Sequence, residues 1–168
     1  MPETMDGLLA RLAAMGIEAR TVTHPPVFTV AESRALRGEL PGGHVKNLFL
    51  QPKSAPPFLL AVLEEERQVS VNALARAVGA GRVSMAPAEA LMEHLGVAPG
   101  SVTPFGLVNA RPGAVRTVID RHLVEEVEWV NVHPLTNTAT TTLRPGDLLR
   151  FLRGLGHEVE VVELGGGP

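Results

Sequence analysis

Three stretches of the chain put polar side chains where an apolar strand or a rigid loop would hold them. The first is His44-Val45-Lys46-Asn47-Leu48-Phe49-Leu50. Strand alternation places Lys46 with Leu48 on one face and Asn47 with Phe49 on the other. A lysine here is either the guard of an edge strand or a fixed cation for a phosphate or a developing oxyanion. Two observations weigh toward the cation. Thirteen of the fifteen basic residues are arginine, which leaves Lys46 and Lys53 as the lysines. Gly42-Gly43, just ahead, offers backbone N–H groups to an anion. The second stretch, Ala98-Pro99-Gly100-Ser101-Val102-Thr103-Pro104-Phe105-Gly106-Leu107, holds two prolines and two glycines in a predominantly apolar run. It is either a structural corner or a wall of main-chain donors around a carbonyl or phosphate. In the third, Val132-His133-Pro134-Leu135-Thr136-Asn137, proline ends a strand and leaves His133 at its rim, as a turn cap or as a member of a site.

Other chemistries are excluded by what is missing. The chain has no cysteine, hence no disulfide, thiolate metal site or cysteine nucleophile. It has no tyrosine, and none of the patterns GxxxxGK[ST], HExxH, GxSxG or GxGxxG occurs. His122 and His133 lack a patterned carboxylate beside them, so no metal site is expected. The glutamates at 64–66 and at 125, 126 and 128 read as solvated strand ends. A net charge of -3 excludes a surface coated in positive charge, though not a local basic groove.

The elements that must position these residues follow from periodicity. Helical spacing of Met5, Leu8, Leu9, Leu12 and Met15 predicts a helix stopped at Gly16. EARTVTH reads as a short strand ending at Pro25-Pro26, and residues 30–37 as a short helix. HVKNLFL and the run from Phe58 read as neighbouring strands or a hairpin. Ser70 caps a helix through Val78, with Leu74 and Val78 in its buried stripe. Pro87 opens a second helix that ends at Gly96. SVTPFGLVN has broken strand character. VRTVIDRHLVE and EVEWVNVHPL are rich in β-branched residues, and TATTTL is a short strand. Pro145 opens a last helix with Leu148, Phe151, Leu152 and Leu155 on one face, and HEVEVVEL closes as a strand. Strands and helices mix without βαβα alternation, which predicts an α+β fold around a mixed, mostly antiparallel sheet flanked by helices.

The 168 residues, 45% hydrophobic and 20% charged, fit one globular domain over 1–164 with a flexible tail at 165–168. No apolar run approaches the ~20 residues of a membrane span. The acidic, amphipathic N-terminus does not read as a signal peptide, so the expected location is cytoplasmic and no membrane partner is expected.

In this order and spacing, HPPVFTVAES, HVKNLFL, GVAPGSVTPFGLVN and VNVHPLTNTATTTL resemble the prolyl-tRNA editing family, also called the YbaK-like or aminoacyl-tRNA deacylase domain. The resemblance runs from about residue 5 to 164, and its branch is similar to the freestanding alanine deacylases called PrdX or ProXp-ala. It implies the fold of the prolyl-tRNA synthetase-associated domain and a cleft for the charged 3′ end of tRNA. The implied reaction is hydrolysis of a mischarged aminoacyl ester, with no cofactor. Lys46 matches the family's strand lysine, Gly100-Ser101-Val102-Thr103-Pro104 its glycine-containing loop, and His133 the histidine of its HPL segment. Lys46 would then serve as a fixed cation. Backbone N–H groups of Gly100 and Ser101 would hold the ester carbonyl, and Asn47 and His133 would orient substrate or water. Val27, Phe28, Thr29, His44 and the loop Val102, Thr103, Pro104, Phe105 are expected to line the substrate pocket; ordinary packing is their alternative. Arg76 and Arg82, flanking Gly79-Ala80-Gly81, are either a solvated helix end or contacts for the acceptor stem. The expected partners are tRNA and, transiently, prolyl-tRNA synthetase, for a monomer or weak homodimer. Alternatives are a deacylase of cysteine or serine, or a module that binds tRNA or synthetase without hydrolysis.

Overall fold

The computed structural model describes residues 1–26, 40–54 and 56–164. The helix expected over 30–37, the pocket residues Val27, Phe28 and Thr29, and the tail 165–168 lie outside the described residues. In chain order the elements are α1 (Met5–Ala14), β1 (Ala19–Thr23), β2 (Gly43–Pro52), β3 (Phe58–Glu64), α2 (Val71–Ala77), β4 (Val83–Met85) and α3 (Ala88–Leu95). They continue with a 3-10 helix (Pro104–Asn109), β5 (Val115–Asp120), α4 (Arg121–Glu125), β6 (Val130–Val132), β7 (Ala139–Leu143), α5 (Pro145–Gly154) and β8 (Val159–Val162).

The strands form one mixed sheet in the order β1-β7-β6-β2-β3-β5-β8, with β4 alongside β2. Four of the seven described pairings are antiparallel and three parallel. β3 is an unbroken apolar run because both its faces are covered. Leu60 and Val62 join the larger cluster, with Leu8, Leu12, Leu95, Phe105, Phe151 and Leu152. Leu59, Ala61 and Leu63 join the smaller one, with Leu74, Ala75 and Val78 of α2 and its C-cap. The caps are local and explicit: the Thr4 hydroxyl accepts from Gly7 N at 3.0 Å, and the Ser70 hydroxyl from Ala73 N at 3.0 Å.

Four local expectations change. SVTPFGLVN is not strand: Pro104 fixes a helical φ at its first turn, and the Thr103 hydroxyl caps it by accepting from Phe105 N. Arg121–Glu125 is a helical turn rather than a continuation of β5, because the Asp120 carboxylate accepts from His122 N at 3.1 Å. β4 was not anticipated, since three residues are too short to show alternation. Glu65 is buried rather than solvated, and burial pushes the Glu64 carboxyl above its ordinary pKa against the pull of nearby His122, Arg67 and Lys46.

Candidate active site

The sheet opens beside the middle of β2. On one edge β2 pairs with β6 at Gly43 and His44, and with β4 from Leu50 to Pro52. Among the described strands none pairs with Val45–Leu48 on that edge. Gly42 makes the parallel start of β2 feasible. Its φ is +93°, and a Cβ there would lie 2.2 Å from the Trp129 carbonyl oxygen. The Gly43 N–H donates to that same oxygen at 2.8 Å. That donor is therefore engaged in sheet pairing and not open to an anion.

Alternation along β2 sends Lys46 and Asn47 to opposite faces, as expected. Lys46 shares its face with Leu48 and Leu50 of the smaller cluster, and its Nζ donates to the Arg67 carbonyl oxygen. Arg67 itself is clamped: Nε donates to Asp120 Oδ2 at 2.9 Å and Nη2 to Oδ1 at 2.8 Å, with both side chains almost wholly buried. Asp120 also accepts from Glu64 N at 3.1 Å. Lys46 thus stands on a rigid, charge-balanced base.

Asn47 faces the other way, toward the loop. Its Nδ2 donates to the Val102 carbonyl at 3.0 Å, which fixes the amide's orientation, since a flip would set two oxygens against each other. Its Oδ1 is buried and has no hydrogen-bond partner among the described residues. An unsatisfied buried acceptor of this kind costs about 1–3 kcal/mol. The loop also touches the residue after β6, where the Thr103 hydroxyl donates to the His133 carbonyl at 2.6 Å. Asn47, Val102, Thr103 and His133 are therefore linked in sequence. The His133 Nδ1 lies 3.3 Å from the Ala139 carbonyl. Burial pushes the imidazole below its ordinary pKa; the Ala139 contact opposes this and nearby His24 adds to it. Leu135, between these residues, has φ +70°, which an L residue rarely adopts.

A small cleft of about 40 Å³ lies at this junction, lined by His44, Val45, Asn131, Val132, His133 and Thr140. His44 and His133 are thus brought together as expected, and Asn47 is tied to them through the loop. Lys46 is not in the cleft lining. Of the loop residues, Val102 is half-buried, while Thr103, Pro104 and Phe105 are buried. Phe105 packs edge-on against Phe151 at 5.8 Å, so it is core and not pocket wall. The Ser101 N–H is turned inward, donating to Ala98 O at 3.0 Å. Gly100, exposed with φ +93°, keeps an N–H without a partner among the described residues. Arg76 and Arg82 are exposed and form no ion pair among the described residues.

Sequence reasoning missed Asn131, Thr140 and the Arg67–Asp120 pair. Asn131 is a buried polar residue in a valine strand: Nδ2 donates to Pro41 O and Gly43 O, and Oδ1 accepts from the Thr142 hydroxyl. Its interruption of Val130-Asn131-Val132 was the signal available. Thr140 was hidden in a threonine run whose composition says strand and nothing more.

The family model for the aminoacyl-tRNA editing domain matches residues 24–151, which include every residue of this junction. The chain belongs to that family. A curated relative from Bos taurus, a prolyl-tRNA synthetase associated domain-containing protein, is 39% identical over 159 residues, covering 93% of this chain and 92% of its own. The prolyl-tRNA editing protein ProX of Acetoanaerobium sticklandii is 29% identical over 162 residues, with 96% and 98% covered. A crystal structure described as a candidate trans-editing enzyme for prolyl-tRNA synthetase superposes with a TM-score of 0.70 over 98% of this chain and all of that one, at 22% identity. That likeness establishes the shared fold. Membership of the editing family makes the ester of an aminoacyl-tRNA the substrate class, and hydrolysis the reaction. Among the described residues, no helix is long and apolar enough to cross a membrane.

Proposed function

We propose that this protein is a cytoplasmic trans-editing hydrolase that removes alanine from mischarged tRNA(Pro) by hydrolysing the ester at the terminal adenosine, with residues 1–164 as one editing domain. The observation that carries the reading is the buried, unpartnered Oδ1 of Asn47, whose amide is held by Val102 of the loop that carries the exposed Gly100, with the next residue, Thr103, bonded to His133. A water hydrogen-bonded to Oδ1 is held for attack, and the Gly100 N–H accepts the charge that develops on the carbonyl oxygen. Lys46, with one of its three ammonium hydrogens on the Arg67 carbonyl, has two left for a phosphate of the 3′ end. The neighbouring ribose hydroxyl shuttles the proton. An activated ester needs positioning more than a strong base.

Selectivity against proline is a sieving problem, because a synthetase pocket gains only ~1–3 kcal/mol per methylene against the smaller alanine. We assign the sieve to Val27, Phe28, Thr29 and Val102, and the acceptor-stem contacts to Arg76 and Arg82. The test is single-turnover deacylation of alanyl-tRNA(Pro), beside prolyl-tRNA(Pro), alanyl-tRNA(Ala) and cysteinyl-tRNA(Pro). Release of alanine from tRNA(Pro) alone is the expected result. Release of cysteine alone would leave the reaction and overturn the amino acid. Binding without release would overturn hydrolysis itself.

A further inference from the structure

The cleft between β2, β6 and β7 has a one-sided hydrogen-bonding inventory. His24 follows β1, which pairs with β7 in the register Val22↔Thr140. Its Nδ1 lies 2.8 Å from the Pro25 carbonyl, which only accepts, so Nδ1 carries the hydrogen. In the neutral ring Nε2 is then an acceptor, and it lies 2.8 Å from the Thr140 hydroxyl oxygen. Thr140 must spend its single hydrogen on His24, which leaves its oxygen lone pairs for the cleft. His133 repeats the arrangement. Its Nδ1 faces the Ala139 carbonyl, and its neutral form, favoured by burial, leaves Nε2 as a bare acceptor with no partner among the described residues. Asn131, on the same wall, has its amide hydrogens on Pro41 O and Gly43 O, and His44, also in the lining, has Nε2 3.4 Å from the Leu40 carbonyl and 3.5 Å from Asn131 Nδ2. Val45 and Val132 supply apolar walls. At about 40 Å³ the cleft has room for a small polar group, a water needing roughly 10–15 Å³ on the same measure.

We infer that this cleft is a receptor for a primary ammonium group, the free α-amine of the aminoacyl ester, held by His133 Nε2 and Thr140 Oγ1, with His24 as the positioning residue that turns the Thr140 hydroxyl. The inference rests on the deacylase reading and deepens it. An ammonium brings three donors to a place whose protein donors are already engaged, and a neutral His133 avoids charge repulsion. The enzyme then recognises a feature shared by aminoacyl esters other than the prolyl ester, whose amine is secondary, and absent from peptidyl and hydroxyacyl esters, while the sieve residues read the side chain.

The test compares alanyl-tRNA(Pro) with lactyl-tRNA(Pro), made from it by nitrous acid deamination, which replaces the ammonium by a hydroxyl of nearly equal size. Each rate is divided by its uncatalysed rate in the same buffer, since the ammonium also activates the ester. The wild-type protein is expected to favour the alanyl ester by about tenfold to a hundredfold, the range of a hydrogen-bonded charge. The near-isosteric Thr140→Val is expected to shrink the preference for the alanyl over the lactyl ester about tenfold, and Thr140→Ser to restore it. Equal handling of the two esters by the wild-type protein overturns the inference without any variant. An equal loss on both esters in Thr140→Val overturns it too, since a purely structural threonine would act that way. Absence of turnover with either ester overturns the deacylase reading, and this inference with it.

Discussion

Lys46 and Asn47 are adjacent on one strand, and the regions they enter differ in kind. On the Lys46 side, charge is closed upon itself. The Asp120 carboxylate accepts two bonds from the Arg67 guanidinium and one each from Glu64 N and His122 N, and Lys46 stands on the Arg67 carbonyl. On the Asn47 side, groups are neutral and acceptors are left over: Asn47 Oδ1, His133 Nε2 and the Thr140 oxygen. The Arg67–Asp120 network gives rigidity, because every alternative position loses a bond, and it leaves Lys46 two ammonium hydrogens to offer. An unsaturated one carries a standing cost that bound substrate relieves. The strand between them joins a fixed platform to a receptive face.

The largest effect should come from opening the closed side. Asp120→Ala removes the carboxylate from a buried guanidinium, and denaturant unfolding should show a loss of about 3–5 kcal/mol. A loss under about 1 kcal/mol would mean the pair is no platform. Lys46→Met should act on chemistry before stability. Single-turnover deacylation is expected to fall about a hundredfold, with unfolding shifted by about 1 kcal/mol for the lost carbonyl bond. An unchanged rate would make Lys46 a structural lysine.

The third expectation concerns pH. Burial holds the folded-state pKa of His133 below its ordinary 6.5, so the unfolded chain takes up this proton first as pH falls. The stability His133 contributes is complete above 6.5 and is lost as pH falls through its lowered folded value. The acid limb of the rate profile should likewise lie below 6.5, because the ring works as a neutral acceptor. A His133→Asn variant should flatten the stability loss in that window, as read by unfolding at stepped pH. The smallest effect is at the surface. Arg82→Ala should reduce the salt slope of tRNA binding by about one phosphate contact. An unchanged slope would return Arg82 to the ordinary helix end.

The sequence made the frame of this comparison readable. Alternation in His44–Leu50 correctly separated Lys46 from Asn47, because period two is a property of the strand and needs no partner to be seen. The caps at Ser70 and the helix opened by Pro145 were equally local. The pairings across the sheet were not. Asp120 sits 53 residues from Arg67, and nothing in either segment marks the other. Phe105 was misread as pocket wall because an aromatic in a proline-glycine loop looks the same whether it turns out or in; contact with Phe151 decides it. The glycines before Lys46 were read as anion donors, and Trp129 takes both the N–H of one and the space beside the other. His24 was visible only as part of a motif, and its service to Thr140 depends on strand β1 lying against β7.

The contrast between the two faces is tested most directly by single-turnover deacylation of alanyl-tRNA(Pro) with Asn47→Leu, measured beside its unfolding midpoint. Leucine of similar size removes the orphan acceptor, so stability should change by less than about 1 kcal/mol while the rate falls about a hundredfold. A variant that unfolds early yet deacylates at the wild-type rate would contradict this, and would make Asn47 a strut for the loop rather than a part of the reaction.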